Sequence, residues 1–157
     1  PALADATAPA RTVFEGRKLL LVDDNPVNLA VGEQFLAAYG IEVETQTSGE
    51  AAIEAAMNGR FDLIFLDCQM PGMNGYEAAR ILRGMMARNE MPRVPIVALT
   101  ANALKGDRDT CLEAGMDDYI AKPASPATLA SILERAKMER RTRHGARFDN
   151  PAGPSVA

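Results

Sequence analysis

Phe61-Asp62-Leu63-Ile64-Phe65-Leu66-Asp67-Cys68-Gln69-Met70-Pro71 contains a short apolar run, Leu63 to Leu66, that ends abruptly in a carboxylate. Turn residues follow at once: Pro71, Gly72, Asn74 and Gly75. An uninterrupted apolar run of this length, bounded by turn signals, reads as a strand buried on both faces. In open parallel sheets ligands bind outside the carboxyl ends of the strands, and Asp67 stands at such an end. Taken alone, Asp67 is equally a strand-end residue that caps the next turn.

Working outward, the same pattern recurs. Arg17 to Val22 is a short apolar strand ending in Asp23-Asp24. Asn25 is suited to cap a helix and Pro26 to open it, with Val27, Val31, Phe35 and Ala38 as its apolar stripe and Gly40 as its stop. Ile41 to Thr45 alternates as a strand with one open face would. Thr47 or Ser48 caps a helix to about Asn58. After Asp67, Asn74 and Glu77 have capping-box spacing for a helix to about Arg88. Pro95 to Leu99 is a buried strand ending in Thr100. Asn102 to Ala114 is a weaker helix interrupted by Gly106. Asp117 to Ala121 is a short strand ending in Lys122-Pro123, and Ser125-Pro126 opens a helix to about Arg140.

Five strands alternating with five helices predict an α/β fold: a parallel sheet with helices on both faces and right-handed crossovers. Five strands allow the order 2-1-3-4-5 of flavodoxin-like three-layer sandwiches; that order comes from the fold class and not from these residues. The expected boundaries are a flexible linker over 1–16, one domain over 17–139, and a disordered basic tail over 140–157.

Composition narrows the function. The chain has 157 residues, is 47% hydrophobic and carries a net charge of −4, which suits one domain and argues against nucleic-acid binding by the whole chain. No apolar run approaches the roughly 20 residues of a membrane span, and the first residues lack a signal-peptide pattern. A cytoplasmic protein without membrane contact is expected. The two cysteines, Cys68 and Cys111, form no metal-spaced pair and are expected to be buried and reduced. The single histidine, His144, lies in the polar tail, which argues against a Ser-His-Asp triad or a His-rich zinc site.

The strand ends carry the chemistry. Asp23, Asp24, Asp67, Thr100 and Lys122 all fall on one edge of a parallel sheet, and with strands one and three adjacent the three carboxylates converge. Like charges at that spacing raise one another's pKa and suit a hard cation such as Mg²⁺, which takes one or two carboxylates, keeps waters and binds phosphate oxygens. Lys122 is suited to a phosphoryl oxygen and Thr100 offers a hydroxyl. A carboxylate nucleophile, a metal and a cation together point to phosphoryl transfer.

Leu21-Val22-Asp23-Asp24-Asn25, Leu66-Asp67-Cys68-Gln69-Met70-Pro71, Ala98-Leu99-Thr100-Ala101 and Tyr119-Ile120-Ala121-Lys122-Pro123 make the chain resemble the receiver domain of two-component response regulators over about Arg17 to Lys137. Its local wording is most similar to receivers of hybrid sensor histidine kinases. The resemblance implies that Asp67 is the phosphoacceptor, that Asp24 binds Mg²⁺ directly and Asp23 mainly through water, and that the backbone carbonyl of Gln69 is a further ligand. Mn²⁺ is expected to be able to replace Mg²⁺. Lys122 would contact the phosphoryl group, Thr100 would bond to it after transfer, Tyr119 would be the aromatic switch residue, and the Lys122-Pro123 bond would be cis. The surface of helix 4, strand 5 and helix 5 would be switched. The implied partners are a histidine kinase or a histidine phosphotransfer protein, and the implied role is a signalling domain, not an enzyme acting on free substrates. The chain departs from the family pattern at Asn74, where Asp is common, and at Ala124, where a larger apolar residue is common.

Three rival readings fit the residues less well. An aspartyl-phosphate phosphatase would carry a second Asp two residues after the nucleophile and a substrate cap; here that residue is Gln69 and no insertion is long enough. A degenerate receiver acting only as a binding module would not need all five site residues. A DNA-binding regulator would need more than the roughly 17 residues that follow the last helix.

Overall fold

The computed structural model describes residues 16–101, 105–122 and 125–135, with backbone only for 105–107. The expected linker, the basic tail, the end of the last helix, the Lys122-Pro123 bond and Ala124 lie outside them.

Among the described residues five strands, β1 (Lys18–Val22), β2 (Glu42–Gln46), β3 (Leu63–Asp67), β4 (Ile96–Thr100) and β5 (Asp118–Ala121), alternate with five helices, α1 (Pro26–Ala37), α2 (Gly49–Asn58), α3 (Gly75–Ala87), α4 (Lys105–Glu113) and α5 (Pro126–Arg135). The strands pair in parallel in the order β2-β1-β3-β4-β5. The parallel sheet is what the alternation predicts, and its order is the flavodoxin-like one taken from the fold class.

The pleat sorts side chains into two cores. Leu19 and Leu21 of β1, Leu63 and Phe65 of β3, and Val97 and Leu99 of β4 pack with Leu29 and Leu36 of α1 and Leu129, Ile132 and Leu133 of α5. Their neighbours Leu20, Val22, Ile64, Leu66, Ile96 and Ala98 pack on the other face with Ala52 of α2, Leu82 of α3 and Cys111 of α4. β3 and β4 are buried at every position, which is why they read as uninterrupted apolar runs.

The helix starts follow local chemistry. Asn25 accepts from the Val27 amide, Ser48 from the Ala51 amide, and Asn74 and Glu77 form the reciprocal capping box. Gly106 is the second residue of α4 and does not interrupt it. β2 starts one residue later than expected and is half-buried over most of its length, with no clean alternation.

The stripe expected on α1 is corrected. Val27 and Val31 are 67% and 59% exposed, while Leu29 and Leu36 face the sheet. Gly32 lies between those two leucines and lets the helix approach β1: a Cβ there would sit 2.9 Å from Leu21 Cδ2. The helix is rotated toward its glycine, away from its valines.

At the end of the sheet remote from Asp67, Arg83 of α3 ties three segments together. It donates to the carbonyls of Gly115 and Val94 and pairs with Asp117, whose Oδ2 also accepts from the Ile96 amide at 2.8 Å. Gly115 has φ +97 and is crossed by the Arg83 stem. Replacing Arg83 by Ala takes the donor from two carbonyls and leaves Asp117, among the described residues, only the Ile96 amide and the more distant Arg93, and is expected to cost about 3 kcal/mol. Urea unfolding checks this; an unchanged midpoint would contradict it.

Candidate functional site

The geometry of the acidic edge follows from register. The last paired residues of β1 and β3 are Val22 and Leu66. One step further stand Asp23 and Asp67, with the same pleat parity as Leu21 and Phe65. On the far side of β3, Asp67 is in register with Leu99 of β4, and Lys122 follows immediately after β5. One oxygen from each of Asp23, Asp24 and Asp67 lies within 4.8 Å of the others. Asp23, Asp67 and Thr100 are buried, Asp24 is exposed, and Tyr119 is half-buried.

Each buried oxygen has its own surroundings. Asp23 Oδ1 accepts from the Asn25 amide at 2.9 Å, and Oδ2 from Asn28 Nδ2 at 3.3 Å. Asp67 Oδ1 accepts from the Gln69 amide at 3.1 Å and from Lys122 Nζ at 3.1 Å. Lys122 Nζ lies 3.6 Å from Asp23 Oδ2, bridging the two acids. Asp67 Oδ2 is buried with no hydrogen-bond partner among the described residues. A buried carboxylate oxygen without a partner is costly, and a cation or the acceptor role in a reaction accounts for one. Three convergent carboxylates, one of them with an unmet oxygen, fit a small hard cation with oxygen ligands.

Burial, more than charge crowding, shifts the acid at the centre of the site. Asp67 is pushed up to about 6, chiefly by burial, with the Asp23 charge adding; the Gln69 amide and Lys122 pull it back. Burial works to lower the Lys122 ammonium, but its bond to Asp67 and the charges of Asp67 and Asp23 outweigh that and leave it raised. Cys68, next in sequence, is pushed up to about 12 by burial, helped by Cys111. It therefore stays a thiol and does not compete with Asp67 as a nucleophile. Both cysteines are buried thiols not joined in a disulfide, their sulfurs 3.9 Å apart.

A raised acid pKa means that the native state holds its proton longer than the unfolded chain. Between pH 3.8 and about 6 the native protein therefore binds more protons, and stability falls as pH rises through that window. Asp67→Asn removes the ionisation, so without metal at pH 7.5 it is expected to be more stable than wild type by about 2–3 kcal/mol. The gap should close below pH 4, and Mg²⁺ should stabilise wild type more than the variant. Denaturant unfolding at several pH values measures it; a less stable variant would contradict the cost of holding that charge buried.

The structure brings together four of the expected site residues, Asp23, Asp24, Asp67 and Lys122, and sets Thr100 at the end of the adjoining strand. Asn28 was missed: its side chain holds Asp23 from the first turn of α1, and its only sequence signal is a place three residues after the cap. Among the described residues no helix is long and apolar enough to cross a membrane.

The family described as response regulator receiver domain matches residues 19–134. The sensor protein GacS of Pseudomonas syringae pv. syringae is 41% identical over 116 residues, covering 74% of this chain and 13% of that protein. The chain thus spans only a small part of that relative. Among solved structures, the receiver domain of sensor histidine kinase PA1611 from Pseudomonas aeruginosa PAO1, with a magnesium ion coordinated in its active site cleft, is 48% identical, with a TM-score of 0.68 over 76% of this chain and 96% of that one. The Saccharomyces cerevisiae co-crystal of the histidine phosphotransfer protein Ypd1 with the receiver domain of Ssk1 matches with a TM-score of 0.76 and 31% identity, over 83% of this chain and 95% of that one.

Proposed function

The chain belongs to the response regulator receiver domain family, and on that premise we propose that Asp67 accepts a phosphoryl group from a phosphohistidine on a histidine kinase or a histidine phosphotransfer protein. The observation that carries the reading is the Asp67 carboxylate itself: buried, bonded to Lys122 through one oxygen and, among the described residues, unpartnered at the other.

Asp24, Asp67 and the Gln69 carbonyl would hold Mg²⁺ directly, and Asp23 chiefly through water. The bonds that already occupy both Asp23 oxygens and the exposure of Asp24 support that division. When bound, Mg²⁺ supplies positive charge and shared oxygen coordination for a phosphoryl group, and Mn²⁺ would serve with the same ligands. The rest is the chain's own work. An Asp67 oxygen attacks phosphorus; the O–P bond forms as the N–P bond breaks, and the electron pair stays on the ring nitrogen of the donor. Lys122, bridging Asp67 and Asp23, balances the charge that arrives. Attack of water on the acyl phosphate later returns the carboxylate and inorganic phosphate. The domain would thus promote its own phosphorylation and dephosphorylation.

Thr100 would bond to the phosphoryl group and Tyr119 would turn inward in response. Register supports the pairing: Tyr119 stands beside Ala98, whose small side chain leaves room, and Thr100 is the next residue on that face. The responding surface would be α4, β5 and α5. Val31 and Phe35 of α1 and Leu129 of α5 line a groove that reaches Asp23 and Lys122. With Val27 and Val31 exposed, this apolar surface suits a docked phosphodonor.

We take the receiver unit to span residues 17–139, with 1–16 and 140–157 as connecting segments, and its setting to be a longer cytoplasmic or cytoplasm-facing hybrid kinase. The test is to mix the chain with Mg²⁺ and a phosphotransfer protein carrying labelled phosphohistidine. Label should move to the chain, be released by hydroxylamine, and stay on the donor when Mg²⁺ is chelated. Asp24→Ala should weaken Mg²⁺ binding about tenfold or more. No transfer from any donor would favour a binding-only receiver, and steady turnover of a small phosphomonoester would favour a phosphatase.

A further inference from the structure

We propose that Gly75 is a positioning residue for the phosphoacceptor: its lack of a side chain lets the start of α3 lie against the Asp67-Cys68 peptide and so fixes where Asp67 and Gln69 stand. The inference rests on the role assigned above to Asp67, and extends it to a residue with no polar side chain.

A Cβ on Gly75 would lie 2.2 Å from the Asp67 carbonyl oxygen, 2.8 Å from the Asp67 carbonyl carbon and 2.8 Å from Cys68 Cα. All three are backbone atoms, so no side chain can swing aside. The contact is also bonded, the Gly75 amide donating to the Cys68 carbonyl at 3.1 Å. Gly75 is the first residue of α3 and is not among the glycines with positive φ. Its backbone would accept alanine, the better helix former of the two. Close approach, not conformation, is what requires glycine here.

The peptide it presses on cannot retreat freely. On its other side the Cys68 amide donates to the Leu99 carbonyl at 2.9 Å, continuing the β3–β4 ladder. Relief of a 2.2 Å contact therefore needs a shift of about 1 Å at the end of β3 or the start of α3. A shift at β3 carries the Asp67 carboxylate with it, along with the turn in which the Gln69 amide holds Asp67 Oδ1. Misplacement of about 1 Å at a reacting centre costs about a hundredfold in rate. Gly84, in the same helix, provides a contrast: a Cβ there would meet only Arg88 Nη1 at 3.2 Å, the tip of an exposed side chain.

The experiment compares wild type, Gly75→Ala and Gly84→Ala at a temperature where all are folded. It reads metal-free amide shifts at residues 67–70, Mg²⁺ affinity by titration, and the rate of phosphoryl uptake at saturating Mg²⁺. Gly75→Ala should displace those shifts, bind Mg²⁺ more weakly and accept phosphoryl about a hundredfold more slowly, while Gly84→Ala matches wild type. If Gly75→Ala is unfolded in buffer, the comparison is made in trimethylamine N-oxide, which favours burial. A folded Gly75→Ala with wild-type shifts, affinity and rate would overturn the inference, as would a lower melting temperature with the other three unchanged. If wild type itself accepts no phosphoryl group, the functional reading fails, and the metal-free shifts and the Mg²⁺ titration still decide the role of Gly75.

Discussion

Asp67→Asn is expected to fold and to lose phosphoryl uptake from a phosphohistidine donor by a thousandfold, on the order of what removing a nucleophile costs. The substitution keeps the volume of a fully buried side chain and removes only the charge and the nucleophilic oxygen pair. The neutral amide can still meet the Gln69 amide and Lys122 through its oxygen. Because the same change is expected to raise stability in the absence of metal, loss of transfer cannot be put down to unfolding. Uptake of label by the folded variant at more than a few per cent of the wild-type rate would place the acceptor elsewhere.

Lys122→Ala should also fold, with uptake lowered about a hundred- to a thousandfold, the range seen when one charge-stabilising donor is removed from a transition state. Lys122 Nζ is 3.1 Å from Asp67 and 3.6 Å from Asp23, so its loss leaves two buried acids facing each other with no cation between them. The Gln69 amide and, after it, the bond and charge of Lys122 pull Asp67 down against burial. Without Lys122 the carboxylate rises further, less of it is ionised at a given pH, and the pH profile of metal-free reactivity moves upward. Lys122→Met fills more of the vacated volume without restoring charge and should behave like the Ala variant. Wild-type uptake in either folded variant would remove Lys122 from the reaction.

Much of this was legible because the fold and the site use the same punctuation. β3 and β4 are buried on both faces, so their composition alone marks them, and each ends in a polar residue where the apolar run stops. A parallel sheet then gathers those ends on one edge. The helix caps were equally plain, since Asn25, Ser48 and Asn74 act on amides two or three residues away. Contacts across the chain were not legible. Arg83 meets a carbonyl 32 residues further on, and nothing local marks it as other than a surface arginine. Gly75 reads as a turn glycine until the backbone it touches is known. On α1 the Val27–Val31 stripe and the Leu29–Gly32–Leu36 face both have helical spacing; the closer approach that glycine allows settled the rotation.

The most direct test of the account is the position of the phosphoryl group. After a short incubation with Mg²⁺ and a phosphorylated phosphotransfer protein, the acyl phosphate can be reduced with borohydride and the trapped residue located by peptide mass spectrometry. The account predicts a single modified position, Asp67, within the peptide that also contains Cys68 and Gln69. Modification at Asp23, Asp24 or any other residue, or none while the donor loses its label to the chain, would contradict it.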